Sequence, residues 1–156
     1  MMPFAPPAEI EEGLRPVLRY WEGLRRAGND MPFSDDLKPS AMPETAGRLL
    51  FIDAFDKPER FRFDIVGKEL SERYGAEVVS RFVHEIEPRT PFEFLNAQCS
   101  VTAEGRAPTY YRRDLAVGQA RNGTHLYARL LLPTWGEGGV HMLLGAVAWI
   151  GGAPRA

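Results

Sequence analysis

The segment MLLGAVAWI, residues 142–150, constrains the fold more than any other. It falls well short of the roughly 20 residues that a membrane-spanning helix needs, and it reads as a buried strand. Alternation then sends Leu143, Val147 and Trp149 to one side and Met142, Leu144, Ala146, Ala148 and Ile150 to the other. Both sides are apolar. A strand with one wet face would not look so, and the sheet that holds it must be covered on both faces. A chain of 156 residues is long enough to supply that cover from a single domain with a real core.

One cover is visible near the N-terminus. Leu14, Val17, Leu18, Trp21 and Leu24 recur at i, i+3, i+4, i+7 and i+10, the apolar stripe of an amphipathic helix. Pro16 fits only its first turn, and Gly28-Asn29 is a stop signal, so the spacing predicts helix from Leu14 to Ala27. The stripe can close one face of the sheet from its own chain or from a second copy. Its five residues are therefore the predicted interface, and covering each large side chain stabilises by about 1.5–3 kcal/mol.

The other cover must come from the middle of the chain. LLFIDAF (49–55) and FRFDIV (61–66) read as an antiparallel hairpin turning at Asp56-Lys57-Pro58-Glu59. Gly67 then breaks the alternation. A short helix follows, with Leu70 and Tyr74 four apart and Gly75 closing it. Thr90-Pro91-Phe92-Glu93 has the form of a capping box and predicts a helix from Thr90 to Gly105, with Phe92, Leu95, Cys99 and Thr102 on one face. Three strands complete the chain: TYYRRDLAV, HLYARLLLP after an Asn122-Gly123 hairpin turn, and VHMLLGAVAWI after the WGEGG turn. Strands and helices do not alternate regularly, so the class is α+β with an antiparallel sheet. The parts are a flexible lead with three prolines (1–12), the N-terminal helix with a loop and one helical turn (13–47), the sheet core (48–150) and a short tail (151–156).

This order resembles a PAS domain, closest to a bacterial PAS-like group in which the domain makes up nearly a whole small protein. The likeness is carried by LRYWEGLRRAGNDMPFSDDLKP (18–39), FRFDIVGKELSERYGAEV (61–78) and LLLPTWGEGGVHMLLG (130–145). It implies a five-stranded antiparallel sheet in spatial order 2-1-5-4-3, a helical crossover on one face, and a leading helix of the kind through which such domains dimerise. It also implies sensing of a small molecule or contact with a signalling partner. Two positions depart from the pattern. Ser80 stands where a glycine is expected, and Asn96 and Cys99 are separated, so the Asn-Cys pair of blue-light flavin sensors is missing. No output module is recognisable after Ile150, so output is expected to pass to another protein or through self-association.

Candidate site residues follow from these elements. Tyr74, Phe82, Phe92, Leu95, Tyr110 and Trp149 are placed to line, or simply to fill, a space between helices and sheet. His84, among apolar neighbours, is a conceivable ligand but reads first as an ordinary hydrogen-bonded histidine. Cys99 has no visible base beside it and reads as a small buried side chain. Arg112 and Arg129 read first as exposed, ion-paired arginines; inside the domain each would need a carboxylate, a phosphate or a protein partner. Alternation sets Arg112 with Tyr110 and Asp114, and Arg129 with Tyr127 and Leu131.

A net charge of −2 gives no electrostatic footprint for nucleic acid. The three histidines, His84, His125 and His141, show no metal-ligand spacing, and no cofactor is indicated. The single cysteine fits a reducing compartment, and the N-terminus lacks a signal peptide's pattern, so the expectation is a cytoplasmic protein without a membrane span. The leading functional reading is a non-enzymatic, PAS-like regulatory or sensory module that binds a partner, a second copy or a small ligand. The alternatives are a small α+β enzyme of isomerase or cyclase type, using Asp53, Asp64 or Asp114 as base, and a haem or redox sensor.

Overall fold

The five strands join edge to edge in one antiparallel sheet: β1 (Leu49–Asp56), β2 (Glu59–Val66), β3 (Thr109–Arg113), β4 (Tyr127–Gly136) and β5 (Gly139–Trp149), in the order β2-β1-β5-β4-β3. These are features of a computed structural model that describes residues 4–26, 28–113, 126–136 and 138–150. The predicted class and strand order are both present. The Asn122-Gly123 turn, the end of TYYRRDLAV, His125 and Asp114 lie outside the described residues. β5 is central, pairing with β1 on one side and β4 on the other. Its two apolar faces feed two separate cores, Leu144, Ala146 and Ala148 in one, Leu143 and Val147 in the other.

Helix α1 (Arg15–Leu24) closes the first face. Leu14 and Val17 are wholly buried against Leu49, Phe51, Leu130, Leu132 and Leu144, with Leu18 and Leu24 half-buried at the margin. Trp21 donates from Nε1 to the Pro133 carbonyl at 2.8 Å, which pins the helix to β4. The predicted interface stripe is therefore spent within one chain. The helix ends three residues before Ala27, because Arg25 is already extended (ψ 132°). Between α1 and β1 the chain makes three 3-10 turns, at Ser34–Asp36, Pro39–Ala41 and Pro43–Arg48, where the sequence predicts only one.

The second face is closed by α2 (Lys68–Tyr74) and α3 (Leu95–Gly105). Gly75 ends α2 at φ +90°, a conformation that costs other residues about 1–2 kcal/mol. Gly67 has a different reason. Its φ of −58° suits any residue, but a Cβ there would press on the backbone carbonyls of Gly47 and Ala46. The corner between β2 and α2 thus needs glycine for room, so that the turn at Pro43–Arg48 can lie against it.

The capping-box prediction is corrected. The helix starts at Leu95, five residues late, behind Phe94 in the left-handed region (φ +58°). Thr90 Oγ1 does meet Glu93, at 3.1 Å from Oε2, but as side chain to side chain. Glu93 is diverted to the sheet, as described below.

Both outer edges of the sheet are blunted. On β2, Phe63 exchanges backbone hydrogen bonds with Ser80 and Arg81, and Arg62 bridges to Phe82. On β3, the Tyr110 N–H donates to the Phe4 carbonyl at 2.8 Å. Among the described residues no helix is long and apolar enough to cross a membrane.

Candidate functional site

Arg129 lies on β4 between Tyr127 and Leu131, on the face that α3 covers, and it is wholly buried. The prediction of an exposed, ion-paired arginine fails here, because alternation carries the side chain under a helix. Its charge is met mainly by neutral acceptors. Nε donates to Gln98 Oε1 at 2.8 Å, Nη1 to the Pro91 carbonyl at 2.8 Å and Nη2 to the Glu93 carbonyl at 2.9 Å. The guanidinium also lies 4.8 Å from the centre of the Tyr111 ring, a favourable cation–π placement. Burial pulls its pKa below the ordinary arginine range, with the groups around it acting in the opposite direction.

A second layer fixes these partners. Gln98 donates to Thr109 Oγ1 at 3.0 Å, and Thr109 and Thr102 share a 2.6 Å hydrogen bond. The Tyr127 hydroxyl donates to Glu93 Oε1 at 2.6 Å, while Arg113 approaches Glu93 Oε2 at 3.4 Å. Burial, and then the Glu93 carboxylate, push the Tyr127 phenol upward against the pull of Arg129. Gln98, Glu93 and Tyr127 carry no sequence signal that marks them as site residues on their own. Gln98 was legible in part, since it stands three residues from Leu95 and four from Thr102 on the same stripe of α3.

Beside this cluster runs an open groove of about 450 Å³ between the 83–88 loop and the first turn of α3. Val83, Ile86, Phe92 and Leu95 give it apolar walls; His84, Glu93 and Asn96 add polar groups. Phe94 borders it with 61% of its surface exposed, 5.9 Å from the Tyr111 ring. Of the predicted pocket residues, His84, Phe92 and Leu95 share this groove. Tyr74 meets Phe92 in a tilted ring contact at 5.2 Å, and Phe92 meets Phe63 likewise at 5.1 Å, so these rings fill the interior.

Other predicted residues fall elsewhere. Trp149 caps the far end of the same core and donates to Glu69 Oε1 at 2.8 Å. Phe82 sits on the β2 edge between Phe55 and His84. Tyr110 and Arg112 are corrected outright as pocket residues. The β3–β4 register turns them to the α1 face, where the Tyr110 hydroxyl donates to Glu11 and Arg112 pairs with it at 2.7 Å. Arg112 is the exposed, ion-paired arginine that the sequence suggested.

The chemistry of the remaining candidates is quiet. Cys99 is wholly buried, and burial pushes its thiol up to about 12, the reverse of a nucleophile's shift. Asp53 is engaged by Arg62 at 3.0 Å. Asp64 is squeezed out of the ladder by a bulge in the β1–β2 pairing; partial burial and then Asp53 raise its pKa. His84 and His141 are both exposed. Among the described residues, no three His, Cys, Asp or Glu side chains are placed to hold a metal ion. Compared with protein-family models, curated proteins and solved structures, the chain matches none of them.

Proposed function

We propose that the chain is a PAS-like regulatory module that acts by binding a small ligand with an apolar body in the groove beside α3. The observation that carries this reading is Phe94, a large aromatic held at positive φ with 61% of its surface exposed on the rim of an apolar groove. Water gains nothing from such a ring, and strained backbone tends to collect at functional positions. The groove's volume lies in the range of small-molecule sites, and His84, Glu93 and Asn96 offer hydrogen bonds to orient a ligand. The strand order and the helical crossover between β2 and β3 support the PAS-like part of the reading.

Binding is favoured over catalysis because, of the candidate bases Asp53, Asp64 and Asp114, the two described ones stand away from the groove, Asp53 engaged by Arg62 and Asp64 exposed on β2. Self-association through the α1 stripe is not part of the reading, since Leu14, Val17 and Trp21 are buried in their own chain.

The test is an amide-NMR titration of the whole chain with indole as probe. Saturable shifts at Ile86, Phe94 and Ala97, weakened about tenfold in Phe94→Ser, support the reading. Shifts confined to other surfaces, or equal in the variant, overturn it. Native mass spectrometry of freshly purified protein reports any small molecule carried from the cell.

A further inference from the structure

Residues 86–94 are joined to the domain in an unusual way. They form neither helix nor strand. Among the described residues, their backbone-to-backbone hydrogen bonds only close local turns: Arg89 N–H to the Glu87 carbonyl, Phe92 N–H to that of Arg89, Leu95 N–H to that of Phe92 and Gln98 N–H to that of Phe94. Among the described residues, polar ties to the rest of the molecule are made by side chains and gather at two places. At one end the Tyr74 hydroxyl donates to the Glu87 carbonyl at 2.8 Å, and Arg89 Nε donates to the Tyr74 carbonyl at 2.9 Å. At the other end Arg129 holds the carbonyls of Pro91 and Glu93, while Tyr127 holds the Glu93 carboxylate. Between these ties Phe92 is inserted in the core, with Thr90 and Pro91 buried beside it and Ile86 packed at its margin.

We propose that residues 86–94 are a flap that opens as one unit while the sheet stays folded, with Arg129 and Tyr127 as its latch and Phe94 as its hinge. A segment without ladder bonds to its neighbours can leave without disrupting them. Opening withdraws two carbonyls from a buried cation, so intermediate positions are unfavourable and the segment has two states, shut and open. The left-handed backbone of Phe94 is where the segment meets the rigid α3, and relaxation of that residue offsets part of the cost. The groove borders this flap, so opening changes the groove's width. The device stands whether or not the groove takes a ligand.

The test is native-state hydrogen exchange on the whole chain, read at the flap's Arg89 and Phe92 amides, at the Leu95 amide that the flap's Phe92 carbonyl accepts from, and, for reference, at Leu130 and Leu144. The flap amides are expected to share one opening equilibrium, at least a hundredfold more frequent than that of the two strand amides. Tyr127→Phe, which removes one hydroxyl and keeps the ring, is expected to raise flap exchange about tenfold and leave Leu144 unchanged. Flap amides that exchange only with the strands overturn the proposal. So do flap amides with unrelated opening equilibria, or a Tyr127→Phe effect spread evenly over the chain. Arg129→Lys provides a second variant, expected to act in the same direction and more strongly, since an ammonium cannot reach both carbonyls and Gln98 in the planar fork geometry.

Discussion

The same three strands, β1, β5 and β4, build both cores, yet the two faces are closed by different physics. Under α1 the contacts are aliphatic and aromatic, and the polar link at its centre is the Trp21 bond to Pro133. Under α2 and α3 the sheet meets the helices through packed rings and then through a buried guanidinium with its acceptors. The apolar face tolerates small slides, because dispersion and burial are not directional. The arginine face does not, because three donors must find three acceptors at once. The first face supplies stability without much geometric demand. The second fixes where the 90–94 loop lies, and with it the groove.

Neighbouring residues of β4 allow the contrast to be broken one face at a time. Arg129→Ala strips the Pro91, Glu93 and Gln98 acceptors together and is expected to cost about 5 kcal/mol in urea unfolding. Leu130→Ala, one residue on and facing α1, is expected to cost about 3 kcal/mol while flap exchange, relative to the strands, stays as it was. A smaller loss from Arg129→Ala than from Leu130→Ala would reverse the assignment of roles. Trp21→Phe keeps an aromatic ring under α1 but removes the donor to the Pro133 carbonyl and part of the buried indole; a loss of about 2 kcal/mol is expected.

Alkali separates the faces more gently. The Cys99 thiol, on the α3 face, is raised from 9.0 to about 12, chiefly by burial. The Tyr110 phenol, on the α1 face, is raised from 10.0 to about 12, by burial and then by Glu11. Each keeps its proton longer when folded. The stability they contribute is therefore complete below the unfolded value and is lost as pH rises toward the folded one. The Cys99 loss is expected to begin at pH 9.0 and to reach about 1.4 kcal/mol one unit higher. Cys99→Ala should remove that early phase, and Tyr110→Phe should lessen the phase that begins at pH 10.0, which Tyr127 shares. A urea-midpoint profile unchanged by either variant would show that neither group is shielded.

The smallest effect concerns Ser80, held at φ +73° beside β2. Ser80→Gly is expected to stabilise by about 0.5 kcal/mol, the relief of left-handed strain less glycine's greater freedom when unfolded. A loss of stability would mean that the serine side chain matters more than its backbone.

Much of this was legible in the residues. The double apolar pattern of β5 required two covers, and the Leu14–Leu24 stripe identified one of them. Hairpin chemistry located β1 and β2, and Gly75 marked the end of α2. What escaped notice depended on register and on long-range partners. Two adjacent tyrosines in TYYRR leave the face of Tyr110 undecided until β4 fixes the pairing. Thr90 and Glu93 carry a sound local capping signal, yet a hydroxyl 34 residues away claims the carboxylate. Arg129 was placed with Tyr127 and Leu131 correctly, but an isolated cation in an apolar strand reads as surface unless its acceptors are known. Those acceptors are mostly backbone carbonyls, which no residue type announces.

The blunted edges of the sheet have a consequence for assembly. Hairpin-like addition of a foreign strand at β2 would first have to evict the Ser80–Phe82 stretch, and at β3 the segment around Phe4. Growth of the ribbon sideways into fibrils or strand-swapped pairs is thereby discouraged at both ends. Any complex this protein enters is steered toward its helical surfaces instead.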